Sequence, residues 1–170
     1  MRARVLTALV LALAAATAVP AGAQSPSFPY DEPDPAIADG SAQRALDGAR
    51  RHWRRARIHD YRFELRVSCF CPFTDPSVIF VRHDRPLNAP EHLRSVATVR
   101  RLHRVVQQAI NGKVHALSVR YGRRGIPRRI GIDGHPNIAD DEVAYAVAHF
   151  WRGAKGRGGP DTPAPAAVPQ

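Results

Sequence analysis

Between residues 61 and 71 apolar and polar positions alternate. Tyr61, Phe63, Leu65, Val67, Cys69 and Cys71 fall on one side, and Arg62, Glu64, Arg66, Ser68 and Phe70 on the other. A period of two marks a strand with one buried and one wet face. Ahead of it the spacing changes to three and four: Ala42, Ala45, Leu46, Ala49, Trp53 and Ala56 form one stripe. That spacing predicts a helix, with Ser41 as its capping residue. Arg50, Arg54 and Arg57 make a basic stripe beside it. So alanine-rich an apolar face suits packing on a sheet.

After a turn at Pro72, Thr74, Asp75 and Pro76, residues 78–82 return as a second strand. Residues 83–91 carry Pro86 and Pro90 and read as irregular. Val99, Leu102, Val105, Val106, Ala109 and Ile110 mark a second helix, which Asn111-Gly112 should end because both residues tolerate the left-handed conformation. Residues 114–121 predict a third strand, Gly122 to Gly125 a turn, and residues 128–133 a fourth strand with Ile130 and Ile132 inward. Residues 142–150 fit two patterns. Val143, Tyr145 and Val147 alternate with alanines as in a strand, whereas Asp140-Asp141-Glu142 before an alanine-rich run suits a helix start; the strand is the preferred reading. The order α-β-β-α-β-β-β defines an α+β fold: an antiparallel sheet of four or five strands with two helices packed on one face.

The ends of the chain differ from this middle. Arg2 and Arg4 precede an uncharged run over residues 5–19, then Pro20 and Ala21-Gly22-Ala23. A basic start, a short apolar core and a small-residue exit are the parts of a secretory signal, cleaved after Ala23. The run is shorter than the ~20 residues that span a bilayer, which disfavours an uncleaved anchor, and no later segment is apolar enough, so no transmembrane segment is expected in the mature chain. Residues 24–40, with four prolines and acids but no bases, read as a linker, and residues 153–170 as a disordered Gly/Pro/Ala tail. The expected location is periplasmic or secreted. Residues 41–152 then make a single domain with 21 Arg and Lys against 10 Asp and Glu, a balance of +11. Such an excess suits an anionic envelope component as partner, or another exported protein, although the bases are spread along the domain instead of forming one block.

Candidate chemistry is sparse. In an exported protein paired cysteines usually end as a disulfide. Cys69 and Cys71 are two apart, however, and a straight strand holds such Cβ atoms ~7 Å apart against the ~4 Å a bridge needs. A bond between them requires the strand to bend before Pro72. A redox-active pair and two buried thiols or metal ligands remain open, but the usual redox spacing has two intervening residues. Asp133, Asp140, Asp141 and Glu142 put four of the ten domain acids into ten residues. They are either a calcium site, the one cofactor considered, or a solvated loop that caps the next element. Arg62, Arg66, Arg120 and Arg129 share the outer sheet face and offer guanidinium forks to a carboxylate or phosphate, with Phe70 for stacking. The histidines are scattered, and no nucleophile elbow or phosphate loop is present, so no catalytic residue is assigned.

Trp53, Asp60-Tyr61, Ser68-Cys69-Phe70-Cys71-Pro72, Tyr121, Gly125-Ile126-Pro127, Ile130, Asp133 and Asp140-Asp141-Glu142, in that order, give the chain a resemblance. It is similar to the exported bacterial proteins of domain of unknown function 6174, over roughly residues 53–150. Members tend to carry an Asp after the position of Tyr121, an aromatic at that of Ile126, and an Asp-Gly turn after the second strand; this chain has Gly122, Ile126 and a Pro86-containing stretch there. The resemblance implies export and the extent of the domain, and no activity. The reading that follows is a non-catalytic binding or envelope-associated module. A calcium-stabilised domain, or an exported thiol-redox enzyme or hydrolase, is the alternative.

Overall fold

The computed structural model describes residues 32–72, 75–138 and 140–153. The expected signal peptide, and the expected tail beyond Gly153, lie outside them. Helix α1 (Pro35–Ala38) comes first, followed by α2 (Ser41–Ala56), which carries the predicted stripe and buries Leu46, Ala49 and Trp53. Its cap is Gly40, in the left-handed region at φ 74°, and not Ser41. Ser41 instead donates its N–H to the Asp39 carboxylate at 2.7 Å and its hydroxyl to the Ala36 carbonyl at 3.3 Å.

The end of the segment expected to be a linker is thus folded. Pro35 opens α1, where a missing N–H costs nothing, and the Asp34 carboxylate caps that helix by accepting from the Ala36 N–H at 2.8 Å. Asp34 also docks on the domain: its N–H donates to the Val114 carbonyl at 3.0 Å, and its second carboxylate oxygen accepts from the Leu117 N–H at 2.9 Å. Proline and acid content marks helix starts as well as linkers, and the contacts that separate the two come from residues some 80 positions away.

Among the described residues six strands form one antiparallel sheet: β1 (Tyr61–Cys69), β2 (Ser77–Arg82), β3 (Arg85–Pro86), β4 (Ala116–Tyr121), β5 (Pro127–Asp133) and β6 (Val143–Arg152). Their order across the sheet is β3-β2-β1-β6-β5-β4. The sheet exceeds the four or five strands expected because the proline-bearing stretch after β2 pairs briefly at the edge. Pro86 is tolerated there because an edge strand leaves half its N–H groups without a ladder partner. His83 and Asp84 make the turn with φ of 49° and 61°, the left-handed pair that a two-residue hairpin requires. Residues 143–152 are strand, as preferred. β6 lies between β1 and β5, so a helix there would leave each with an unpaired edge on that side.

Helix α3 (Val99–Asn111) packs beside α2 on one face of the sheet. Two side chains satisfy its first amides. The Thr98 hydroxyl accepts from the Arg101 N–H at 3.1 Å, and the Tyr61 hydroxyl accepts from the Val99 N–H at 3.0 Å. Burial in this contact pushes the Tyr61 phenol well above its usual range. At the other end Gly112 keeps a right-handed φ of −75°, and Lys113 takes the left-handed turn at φ 50° that was expected of Asn111-Gly112.

Tyr61, Phe63, Leu65, Ile79 and Val81 are fully buried beneath the helices, each side chain contributing about 2 kcal/mol of apolar burial. Trp53 meets Tyr61 edge-on at 5.4 Å, and Phe150 stacks on Tyr61 at 5.2 Å. His103 of α3 is buried, and its Nε2–H donates to the Gly125 carbonyl at 2.8 Å. Gly125, at φ 73°, passes so close to α2 that a Cβ there would lie 2.0 Å from the Ala49 carbonyl oxygen. Only glycine fits, and the turn before β5 is thereby fixed against the helix layer.

Candidate binding site on the open sheet face

The helices cover one face of the sheet, and alternation sends the intervening side chains to the other. Pairing register decides which of those become neighbours. Arg66 is opposite Ala146, Ala146 is opposite Arg129, and Arg129 is opposite Arg120. Three of the four predicted arginines therefore share one row across β1, β6, β5 and β4, about 14 Å from end to end at the usual strand spacing. All three are exposed, and among the described residues none of them makes an ion pair. Ala146 is the only other member of the row, so nothing bulky separates the cations.

The fourth, Arg62, stands apart, because it lies four residues back along β1 and opposite Trp151. Its guanidinium sits 4.8 Å from the centre of the Trp151 ring, against which His149 stacks at 5.4 Å. Here a cation is held by an aromatic face, which contributes about 0.5–1 kcal/mol at an exposed position. The sequence reading missed Trp151 and His149. Both fall on the outer side of β6, but a bulge between the pairs Phe63–Phe150 and Leu65–Val147 breaks the simple alternation that would have placed them.

Two residues along from the arginine row comes a row of small ones: Ser68, Ala144, Gly131 and Ser118 in consecutive register. A Cβ on Gly131 would approach the Ser118 hydroxyl oxygen to 2.7 Å, so a side chain there would have to displace that hydroxyl. Beside it, at the end of the sheet, lies a concavity of about 580 Å³ lined by these four residues and Phe70, with Asp34, Asp133 and Glu142 as its only charged groups among the described residues. That volume is in the range of small-molecule sites. Phe70 is 84% exposed at its rim, a large apolar side chain without cover.

Phe70 is held there by the cysteines. Cys69 and Cys71 are bonded to each other, with Cα atoms 5.2 Å apart. The Cys71 N–H donates to the Cys69 carbonyl at 2.8 Å, a tight turn that ends β1 at Cys69. Cys71 thus leaves the strand instead of continuing it. The bend that the bridge demanded is this turn, and it presents the intervening Phe70 outward.

The acidic residues are less concentrated than their spacing suggests. Asp133 ends β5 and Asp141 packs against Gly134; each has one carboxylate oxygen buried without a hydrogen-bond partner among the described residues. Asp140 and Glu142 are exposed. A calcium shell takes six to eight oxygens, and among the described residues no three His, Cys, Asp or Glu side chains converge as metal ligands would.

Comparison with known proteins assigns the fold unit. Residues 45–152, more than half of the chain, match the family of unknown function DUF6174, and the chain belongs to that family. No curated protein and no solved structure matches it. Among the described residues, no helix is long and apolar enough to cross a membrane.

Proposed function

We propose that the protein is an exported, non-catalytic binding module that takes an anionic ligand or envelope component on its open sheet face. The observation that carries this reading is the row Arg66, Arg129 and Arg120, three exposed guanidinium groups that make no ion pair among the described residues. Side chains placed by a sheet are held at fixed spacing, and guanidinium forks pair with carboxylate, sulfate or phosphate oxygens. Export is supported by the basic, apolar and small-residue pattern of residues 1–23 and by the bonded cysteines.

The test must separate a site from bulk positive charge. Arg66→Ala, Arg120→Ala and Arg129→Ala together should weaken retention on a sulfated polysaccharide matrix far more than Arg51→Ala, Arg55→Ala and Arg123→Ala, which remove the same charge from the helix side. Both triple variants should melt close to the parent, because exposed substitutions usually change stability by about 0.5 kcal/mol or less. Equal loss in the two variants leaves only non-specific attraction and ends the proposal.

A further inference from the structure

A second concavity, of about 500 Å³, lies on the helix side of the sheet, and none of the four predicted arginines belongs to it. Arg101, Arg104, Val105 and Gln108 occur at spacings that place them on one side of α3, next to the buried stripe of Leu102, Val106 and Ala109. Arg94 and Ser95 come from the short 3₁₀ segment before that helix (Glu91–Val96). Tyr145, on the inner face of β6 between Val67 and Ile130, is the only strand residue in the lining.

The chemistry of this lining is one-sided. It has three guanidinium groups, two neutral hydrogen-bonding side chains and a tyrosine, but no acid. The one carboxylate near it, Glu91, reaches Arg94 at 4.0 Å with both side chains mostly exposed, an ion pair of little worth. The Arg101 guanidinium donates to the Arg94 carbonyl, which holds it over the helix start. Tyr145 is half-buried, and its hydroxyl has no hydrogen-bond partner among the described residues. That hydroxyl is available to donate to a ligand held by the guanidinium groups of the lining.

We infer that this cavity binds a small phosphate monoester, its oxygens taken by Arg101, Arg104 and Arg94 and its organic body resting against Tyr145 and Val105. Three guanidinium groups, of which only Arg94 has a carboxylate near it, favour a dianion over a single carboxylate. A bare phosphate would occupy only a small part of this 500 Å³ depression, which leaves room for an organic body beside it. The site is separate from the open-face row, so either can fail without the other.

Titration calorimetry on the mature chain, with phenyl phosphate, inorganic phosphate and benzoate as probes, tests it. Phenyl phosphate should saturate and bind about tenfold more tightly than either other probe. Arg104→Ala should weaken it by about tenfold and Tyr145→Phe by a few-fold. The outer-face variant with Arg66, Arg120 and Arg129 replaced by alanine should bind phenyl phosphate unchanged. Melting curves should show that Arg104→Ala, an exposed position, remains folded. Absence of saturation, equal affinity for benzoate, or a loss that follows the outer-face substitutions overturns the inference.

Discussion

Acidification should destabilise this protein through one residue, His103. Its ring is 3% exposed, and its Nε2–H is committed to the Gly125 carbonyl, so only Nδ1 can take a second proton. A charged ring there would be desolvated and would also feel Arg50 and Arg54, and these effects bring its pKa down from 6.5 to about 4, despite the favourable bond to Gly125. Unfolding releases the ring to water and its ordinary pKa. Between pH 6.5 and about 4 the unfolded chain therefore binds the extra proton and the folded one does not. Stability supplied by the neutral ring is complete above pH 6.5, falls as the pH drops, and is fully lost below about pH 4. A fall in pKa from 6.5 to about 4 corresponds to about 3 kcal/mol, a large share of the stability of a small domain.

The measurement is a difference, so that ionisable groups common to both proteins drop out. Urea unfolding of the parent and of His103→Gln, from about pH 8 to about pH 3.5, cancels groups common to both. Glutamine can still donate to the Gly125 carbonyl but cannot ionise in this range. The parent's advantage should shrink by about 3 kcal/mol across the window. A constant difference from neutral pH to about pH 4 would refute the picture of a buried, neutral ring.

Two further outcomes follow from the same contacts. Gly125→Ala places a Cβ 2.0 Å from the Ala49 carbonyl oxygen, so thermal melting should reveal a loss of about 3 kcal/mol or more, whereas Gly153→Ala, at a similar left-handed φ of 85° but with nothing within 4 Å, should cost about 1 kcal/mol. Equal costs would mean that backbone conformation alone, and not the approach to α2, requires glycine at 125. Replacing Cys69 and Cys71 together by serine opens a ring of only three residues, which constrains the unfolded chain by about 1.6 kcal/mol, so the domain should stay folded while Phe70 gains mobility; global unfolding of that variant would show the bridge to be a main support of the sheet.

Local pattern alone settled a good deal. The period-two run of Tyr61 to Cys69 and the three-four spacing from Ala42 to Ala56 report which face of each element is apolar, and removing that face from water is the largest influence on how the element is oriented. The α+β class, the positions of α2 and α3, and the outward direction of Arg66, Arg120 and Arg129 were legible for that reason. Caps were less so: Gly40 and Lys113, not Ser41 and Gly112, take the special positions at their helix ends, because several neighbouring residues suit such a turn and packing selects one. Asp34 read as part of a linker because its partners, Val114 and Leu117, are remote in sequence.

Tertiary structure decided what the side chains do together. Placing β6 between β1 and β5 brings Arg66 into line with Arg129 and Arg120 and leaves Arg62 to Trp151, and strand order is a long-range property with no local signature. The same placement sets Tyr145 beneath Arg101 and Arg104, residues some 40 positions earlier in the chain. Sequence determined which residues face the core and which face water, since transfer of each side chain from water is a local matter. Only the folded sheet could determine which of the water-facing charges meet, because that depends on the register of strands that the chain reaches by different routes.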